Sequence, residues 1–257
     1  MAITVNTNVF SLAAQKNLNR TQSDLTTSVQ RLSSGLRINM AKDDAAGLAI
    51  AQLQTAQARG LTVAQRNIAD GTSFLGVADA TLQSVSDMMQ RQRELSVQHG
   101  SGLYTAAQQA LMSVEFDALT AEITASLGRA TFNGTAVFGG GGTIVVGANT
   151  TETIDISVAA LAARTAAISD TATADADLNA VSTALANIGA LQSRLEQAGR
   201  VAASMEEAQY AAAGRIMDAD FARETAKFTS AQVIQQAGVA ALSQANSIPQ
   251  LALSLLQ

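Results

Sequence analysis

The chain has 257 residues, with 16 Lys and Arg against 21 Asp and Glu, a net charge of −5, and only 14% charged residues where a soluble domain has about 25%. It has no cysteine and a single histidine, His99. That excludes a disulfide framework, thiol chemistry and a multi-histidine zinc site, and leaves no candidate catalytic, cofactor-binding or metal set. The acidic balance without basic clusters argues against nucleic acid, and no apolar run is long enough to span a membrane.

The apolar fraction of 47% at low net charge is the opposite of a disordered composition. Aromatics are 4% and about a fifth of the residues are alanine. The core is therefore expected to be Leu, Ile, Val and Ala in closely packed helices. The first residues, Met1 to Asn8, show no basic region followed by an apolar stretch, so no cleaved secretory signal is expected there.

In chain order, residues 6–38 carry Leu18, Leu25 and Leu32 seven apart, and likewise Val29 and Leu36. This is a seam of coiled-coil period, and it predicts one helix. Residues 44–98 contain no proline and repeat Leu61, Ile68, Leu75, Leu82 and Met89 in seven-residue steps. The spacing predicts a continuous helix of about 80 Å at 1.5 Å per residue, hence a rod. After a turn at 99–104, Met112, Phe116, Leu119, Ile123 and Leu127 predict a third helix over 105–129, antiparallel to the second because the loop is short.

Residues 131–158 change character. Asn133-Gly is a turn signal, Gly139 to Gly142 form a flexible turn without the Gly-Lys-Ser/Thr of a phosphate loop, and two β-branched runs flank Gly147 to Glu152. They predict a small β-hairpin region. Residues 159–176 are ambiguous. From about Asp177, a pattern including Leu185, Ile188 and Leu195 predicts helix to about Gly214. Over 221–257, Ile234, Gly238, Ala241, Ala245, Ile248 and Leu255 form a second seam, with Pro249 expected to kink or end the helix.

These elements imply a mainly α fold. It is a long antiparallel helical rod or coiled-coil bundle with a β-hairpin region and paired N- and C-terminal helices. Leu61, Ile68, Leu75, Leu82, Met89, Phe116, Leu119, Ile123, Leu185, Ile188 and Leu195 are the expected rod core. Isolated helices are marginal in water, so the terminal segments are expected to be ordered only on assembly.

The motifs resemble bacterial flagellin. The resemblance rests on Asn6-Thr-Asn-Val-Phe-Ser-Leu, Arg31-Leu-Ser-Ser-Gly-Leu-Arg-Ile-Asn, Ala41-Lys-Asp-Asp-Ala-Ala-Gly-Leu, Arg91-Gln-Arg-Glu-Leu, Phe132-Asn-Gly, Ala231-Gln-Val-Ile-Gln-Gln-Ala-Gly and Gln244-Ala-Asn-Ser-Ile-Pro-Gln. Gln52 to Gln54 and Gln92 depart from the usual pattern. The resemblance implies a secreted structural subunit of the extracellular flagellar filament, exported without a cleaved signal. It further implies inner-tube helices at 1–40 and 218–257, a rod domain at 41–217 with its hairpin at about 131–158, and a minimal form without large variable outer domains.

On this reading, Leu18, Leu25, Val29, Leu32, Leu36, Ile234, Gly238, Ala241, Ala245, Ile248 and Leu255 form an assembly interface for a homo-oligomer. The export machinery, an export chaperone and a filament cap are implied partners. Arg91, Leu95 and Glu115 match a patch that a host toll-like receptor reads in flagellins. The plain alternative for that patch is a solvated helix face packed on a neighbouring subunit. No enzymatic activity is expected. The alternative function is a hook–filament junction protein of the same architecture. Asp43-Asp44 and Asp218-Ala-Asp220 are read as helix-end charges rather than cation sites.

Overall fold

The computed structural model describes residues 7–161 and 168–254, with side chains as far as Ser247. Five helices are described: α1 (Val9–Ser34), α2 (Ala45–His99), α3 (Ala106–Arg129), α4 (Thr171–Met217) and α5 (Phe221–Ser254). Each begins where a short polar side chain accepts a free amide of the first turn. Asn8 Oδ1 accepts from Ser11 N, Asp44 Oδ1 from Gly47 N, Asp170 Oδ1 from Ala172 N and Thr173 N, and Asp220 Oδ1 from Arg223 N. Thr105 and Gln108 bond reciprocally in a capping box at α3.

α1 ends at Ser34, four residues before the expected limit. Gly35 adopts φ 72° there, and its N–H bonds the Arg31 carbonyl at 2.9 Å. Only glycine takes this left-handed conformation without a Cβ penalty. Pro249 does not end α5, which continues to Ser254. Proline removes the amide that would bond the Ala245 carbonyl four residues back. That carbonyl accepts from Asn8 Nδ2 instead, at 2.8 Å.

Between α3 and α4 the described residues form two short hairpins. β1 (Thr131–Phe132) pairs antiparallel with β2 (Thr135–Ala136), and β3 (Thr143–Val145) with β4 (Thr153–Asp155). The first turns on Asn133 and Gly134, at φ 50° and 78°. Positive φ at both central residues suits the right-handed twist of a two-residue hairpin. Within the stretch read as ambiguous, residues 171–176 belong to α4 and residues 162–167 lie outside the described ones.

The chain divides into two compact units, Met1–Thr55 with Tyr210–Gln257, and Ala56–Gln209. The division falls within α2 and α4. In the first, α1 and α5 pack antiparallel, as the pairs Asn8–Ala245, Gln22–Gln235 and Ser28–Glu224 require. Ile38 and Ala213 are also buried there. In the second, Arg91 meets Glu115 and Gln109 meets the His99 carbonyl, so α3 runs back along α2. Thr62 and Gln65 meet Glu206, and Arg93 meets Asp175, so α4 does the same.

The core of the second unit runs along α2 and takes in α3, α4 and both hairpins. Leu61, Ile68, Leu75, Leu82, Met89, Phe116, Ile123, Ile188 and Leu195 are buried, while Leu119 and Leu185 are half-buried. Each fully buried aliphatic side chain contributes about 1.5–3 kcal/mol of transfer free energy. Phe74 and Phe132 meet edge to face at 6.0 Å, and Asn67 Nδ2 donates to the Val145 carbonyl, tying the hairpins to α2.

Candidate assembly surfaces

Two stripes run along α5. The inner one repeats every seven residues, with Glu224 and Ala231 buried and Gly238 and Ala245 half-buried. It faces Ser11 and Ser28, which are buried, and Leu18, Leu25 and Leu32, which are half-buried. A Cβ on Gly238 would lie 3.0 Å from Leu18 Cδ1, so glycine lets the two helices approach at that point. Ser28 Oγ donates to Glu224 Oε1 at 2.7 Å, and Lys227 Nζ lies 3.7 Å from Glu224 Oε2. A buried carboxylate is thus bonded inside the seam, as desolvation demands.

The second stripe faces out. Ile234 is 54% exposed and Ala241 is exposed; on α1, Val29 is 48% exposed. The predicted interface residues therefore lie on two sides. Leu18, Leu25, Leu32, Gly238 and Ala245 lie within the pair, and Val29, Ile234 and Ala241 lie on its outer surface. Leu36 is half-buried and bridges to Asp218. Ile248 lies in α5, but its side chain, like all of Leu255, is outside the described residues.

The patch of Arg91, Leu95 and Glu115 is not one surface. Arg91 and Glu115 are exposed and paired at 2.9 Å, with Glu94 at 3.1 Å. Glu115 first, then Glu94, raises the affinity of the Arg91 guanidinium for its proton. Leu95 is only 1% exposed, because four residues of a helix advance 400° and the extra 40° carries it off the exposed line of Arg91. Gln92 is buried at the same junction. Its Nε2 donates to Thr120 Oγ1 at 2.8 Å and to the Phe116 carbonyl at 3.2 Å.

The paired carboxylates fall at helix ends. Asp43 Oδ2 accepts from Asn39 N and Met40 N at 3.1 Å, and these amides hold its carboxyl below the usual range. Asp44 and Asp220 cap α2 and α5. Among the described residues, no cluster of His, Cys, Asp or Glu could hold a metal, and no helix is long and apolar enough to cross a membrane.

Apolar periodicity does not single out Asn8, Ser28 or Glu224, because all three are polar. The available signal is the seven-residue step that carries Glu224 into line with Ala231, Gly238 and Ala245.

The family model for the bacterial flagellin N-terminal helical region matches residues 5–143, and that for the C-terminal helical region matches residues 171–256. A B-type flagellin of Pseudomonas aeruginosa is 46% identical over 161 residues, which are 62% of this chain and 33% of that protein. A flagellin of Treponema pallidum is 32% identical over 284 aligned positions, covering 98% of this chain and 99% of that one. The chain thus spans about a third of the Pseudomonas relative and nearly all of the Treponema one. The crystal structure of a Bacillus cereus flagellin aligns at 24% identity and TM-score 0.41, over 56% of this chain and 88% of that one.

Proposed function

Since the chain belongs to the bacterial flagellin family, we propose that it is a non-enzymatic structural subunit that self-assembles into the extracellular flagellar filament. The observation that supports this most directly is the outward stripe of the terminal pair. Val29, Ile234 and Ala241 face away from the partner helix, and so do Phe10, Val233 and Val239. Apolar side chains left uncovered along both helices of a pair are stabilised when further copies cover them. Terminal helices at 1–40 and 218–257 then form the inner tube, and 41–217 the outer part.

The same reading gives the chain an export route without a cleaved signal, with the export machinery, a chaperone and a filament cap as partners. A host toll-like receptor would meet Arg91 and Glu115, with Leu95 supporting them from beneath. The test is seeded growth. Purified chain added to fragments of flagellar filament should extend them, as seen by electron microscopy. Seeds that stay at their starting length while the chain remains folded and soluble would overturn the reading.

A further inference from the structure

The terminal pair carries a buried donor that makes no hydrogen bond among the described residues. Arg31 lies in the last turn of α1, and its Nε is buried without a hydrogen-bond partner. It lines a groove of about 740 Å³ along α1 and α5, together with Asp24, Ser28, Arg223, Glu224, Lys227 and Ile234. The other charges of this groove are largely engaged. Glu224 is bonded by Ser28 and reached by Lys227, and Arg223 reaches Asp220 at 3.9 Å. Asp24, two turns back on α1, makes no ion pair with Arg31 among the described residues, and Asp43 acts on Arg31 through its charge without forming an ion pair.

A buried donor left unmade is costly, and a guanidinium is matched best by a carboxylate meeting it as a fork. The same groove leaves Ile234 exposed at its rim. An occupant that relieves both costs carries a carboxylate next to a large apolar side chain. The junction of α4 and α5 offers that combination. Asp218 is exposed, and its carboxylate accepts no hydrogen bond among the described residues. Phe221, three residues on, is 58% exposed. One chain cannot bring Phe221 to Ile234, because they lie thirteen residues apart on α5, about 20 Å along a helix.

We propose that the Arg31 groove receives the Asp218–Phe221 junction of a second copy of this chain, Asp218 pairing with Arg31 while the Phe221 ring covers Ile234. The proposal rests on the filament reading and names one contact within it. Its cationic side (Arg31, Arg223, Lys227) outnumbers its acidic side (Asp24, Glu224) in a chain that is acidic overall, so a carboxylate from another copy is electrostatically favoured.

The chain has no cysteine, which makes a cross-link unambiguous. Phe221→Cys with Ile234→Cys, oxidised after seeded growth, should give a ladder of covalent oligomers on a non-reducing gel. A disulfide between these positions can form only between copies. Filaments that yield only single chains would overturn the contact and leave the filament reading standing. A charge swap covers the case in which the double cysteine variant does not grow. Arg31→Glu and Asp218→Arg should each raise the critical concentration about tenfold, and the two combined should return it to within about twofold of wild type. Equal losses in all three variants would overturn the pairing. Wild-type chain that fails to extend seeds would overturn the filament reading and this contact with it.

Discussion

Asn8 performs two tasks that separate chemically. Its Oδ1 accepts from Ser11 N and caps α1, while its Nδ2 donates to the Ala245 carbonyl that Pro249 leaves without an amide. The substitution Asn8→Asp keeps the first and removes the second, because a carboxylate accepts but does not donate. The negative charge suits the N-terminus of α1, yet it would stand against a carbonyl oxygen that now lacks a donor. The expected result is a loss of about 1 kcal/mol in the association of α5 with α1. Amide exchange should quicken over residues 243–247 and stay unchanged at Ser11. Equal exchange in both segments of the Asn8→Asp variant and the wild type would show that the Ala245 carbonyl does not depend on Asn8. Serine at position 28 also has meaning only in the pair. Ser28 supplies the hydroxyl that Glu224 needs once it is buried.

Hydrophobic periodicity carries most of the helical layout. Seven-residue steps from Leu61 to Met89 lie on the buried side of α2, and the lack of proline over 44–98 matches one unbroken helix. The β1–β2 hairpin is harder to read, because two-residue strands have no room to display alternation. Its one signal is Asn133-Gly, and that signal is the physical cause of the turn. The stripe of α5 shows a second limit. Ile234–Gly238–Ala241–Ala245 alternates steps of four and three, yet Gly238 and Ala245 face α1 while Ile234 and Ala241 face out. A helix hydrophobic on adjacent faces gives the same pattern whether one neighbour covers both or each has its own. The hairpin provides a test at this scale. Gly134 sits at φ 78° with nothing within 4 Å of a built Cβ, so the cost of a side chain there is conformational rather than steric. Gly134→Val should destabilise the second unit by about 1–2 kcal/mol, read as a lower midpoint of thermal unfolding. Gly142→Val is the control, since Gly142 is equally open but free of a positive φ. If both variants melt together, the left-handed turn is not what the glycine provides.

At the scale of the molecule, the two compact units divide the labour differently. The second has a continuous core of large aliphatic side chains along α2. The terminal pair buries serine, alanine and one carboxylate, and keeps much of its apolar surface outside. On the filament reading, a pair with sparse internal burial gains its cover from further copies along the outer stripe. Ala241 separates these roles. It is exposed in the single chain, so Ala241→Asp should change the chain's own stability by no more than about 0.5 kcal/mol. In a filament that covers the outer stripe, the same carboxylate would be desolvated without a partner, at a cost of about 3–5 kcal/mol. Every 1.4 kcal/mol is tenfold in an equilibrium constant. The variant should therefore show a critical concentration roughly two to four orders of magnitude higher while its unfolding curve overlays that of the wild type. Ala241→Ser, which adds a small neutral group, should shift the critical concentration far less. Sedimentation of seeded mixtures at graded concentrations measures all three chains. Normal filaments from Ala241→Asp would mean that the outer stripe stays wet in the polymer and that the subunits are held elsewhere.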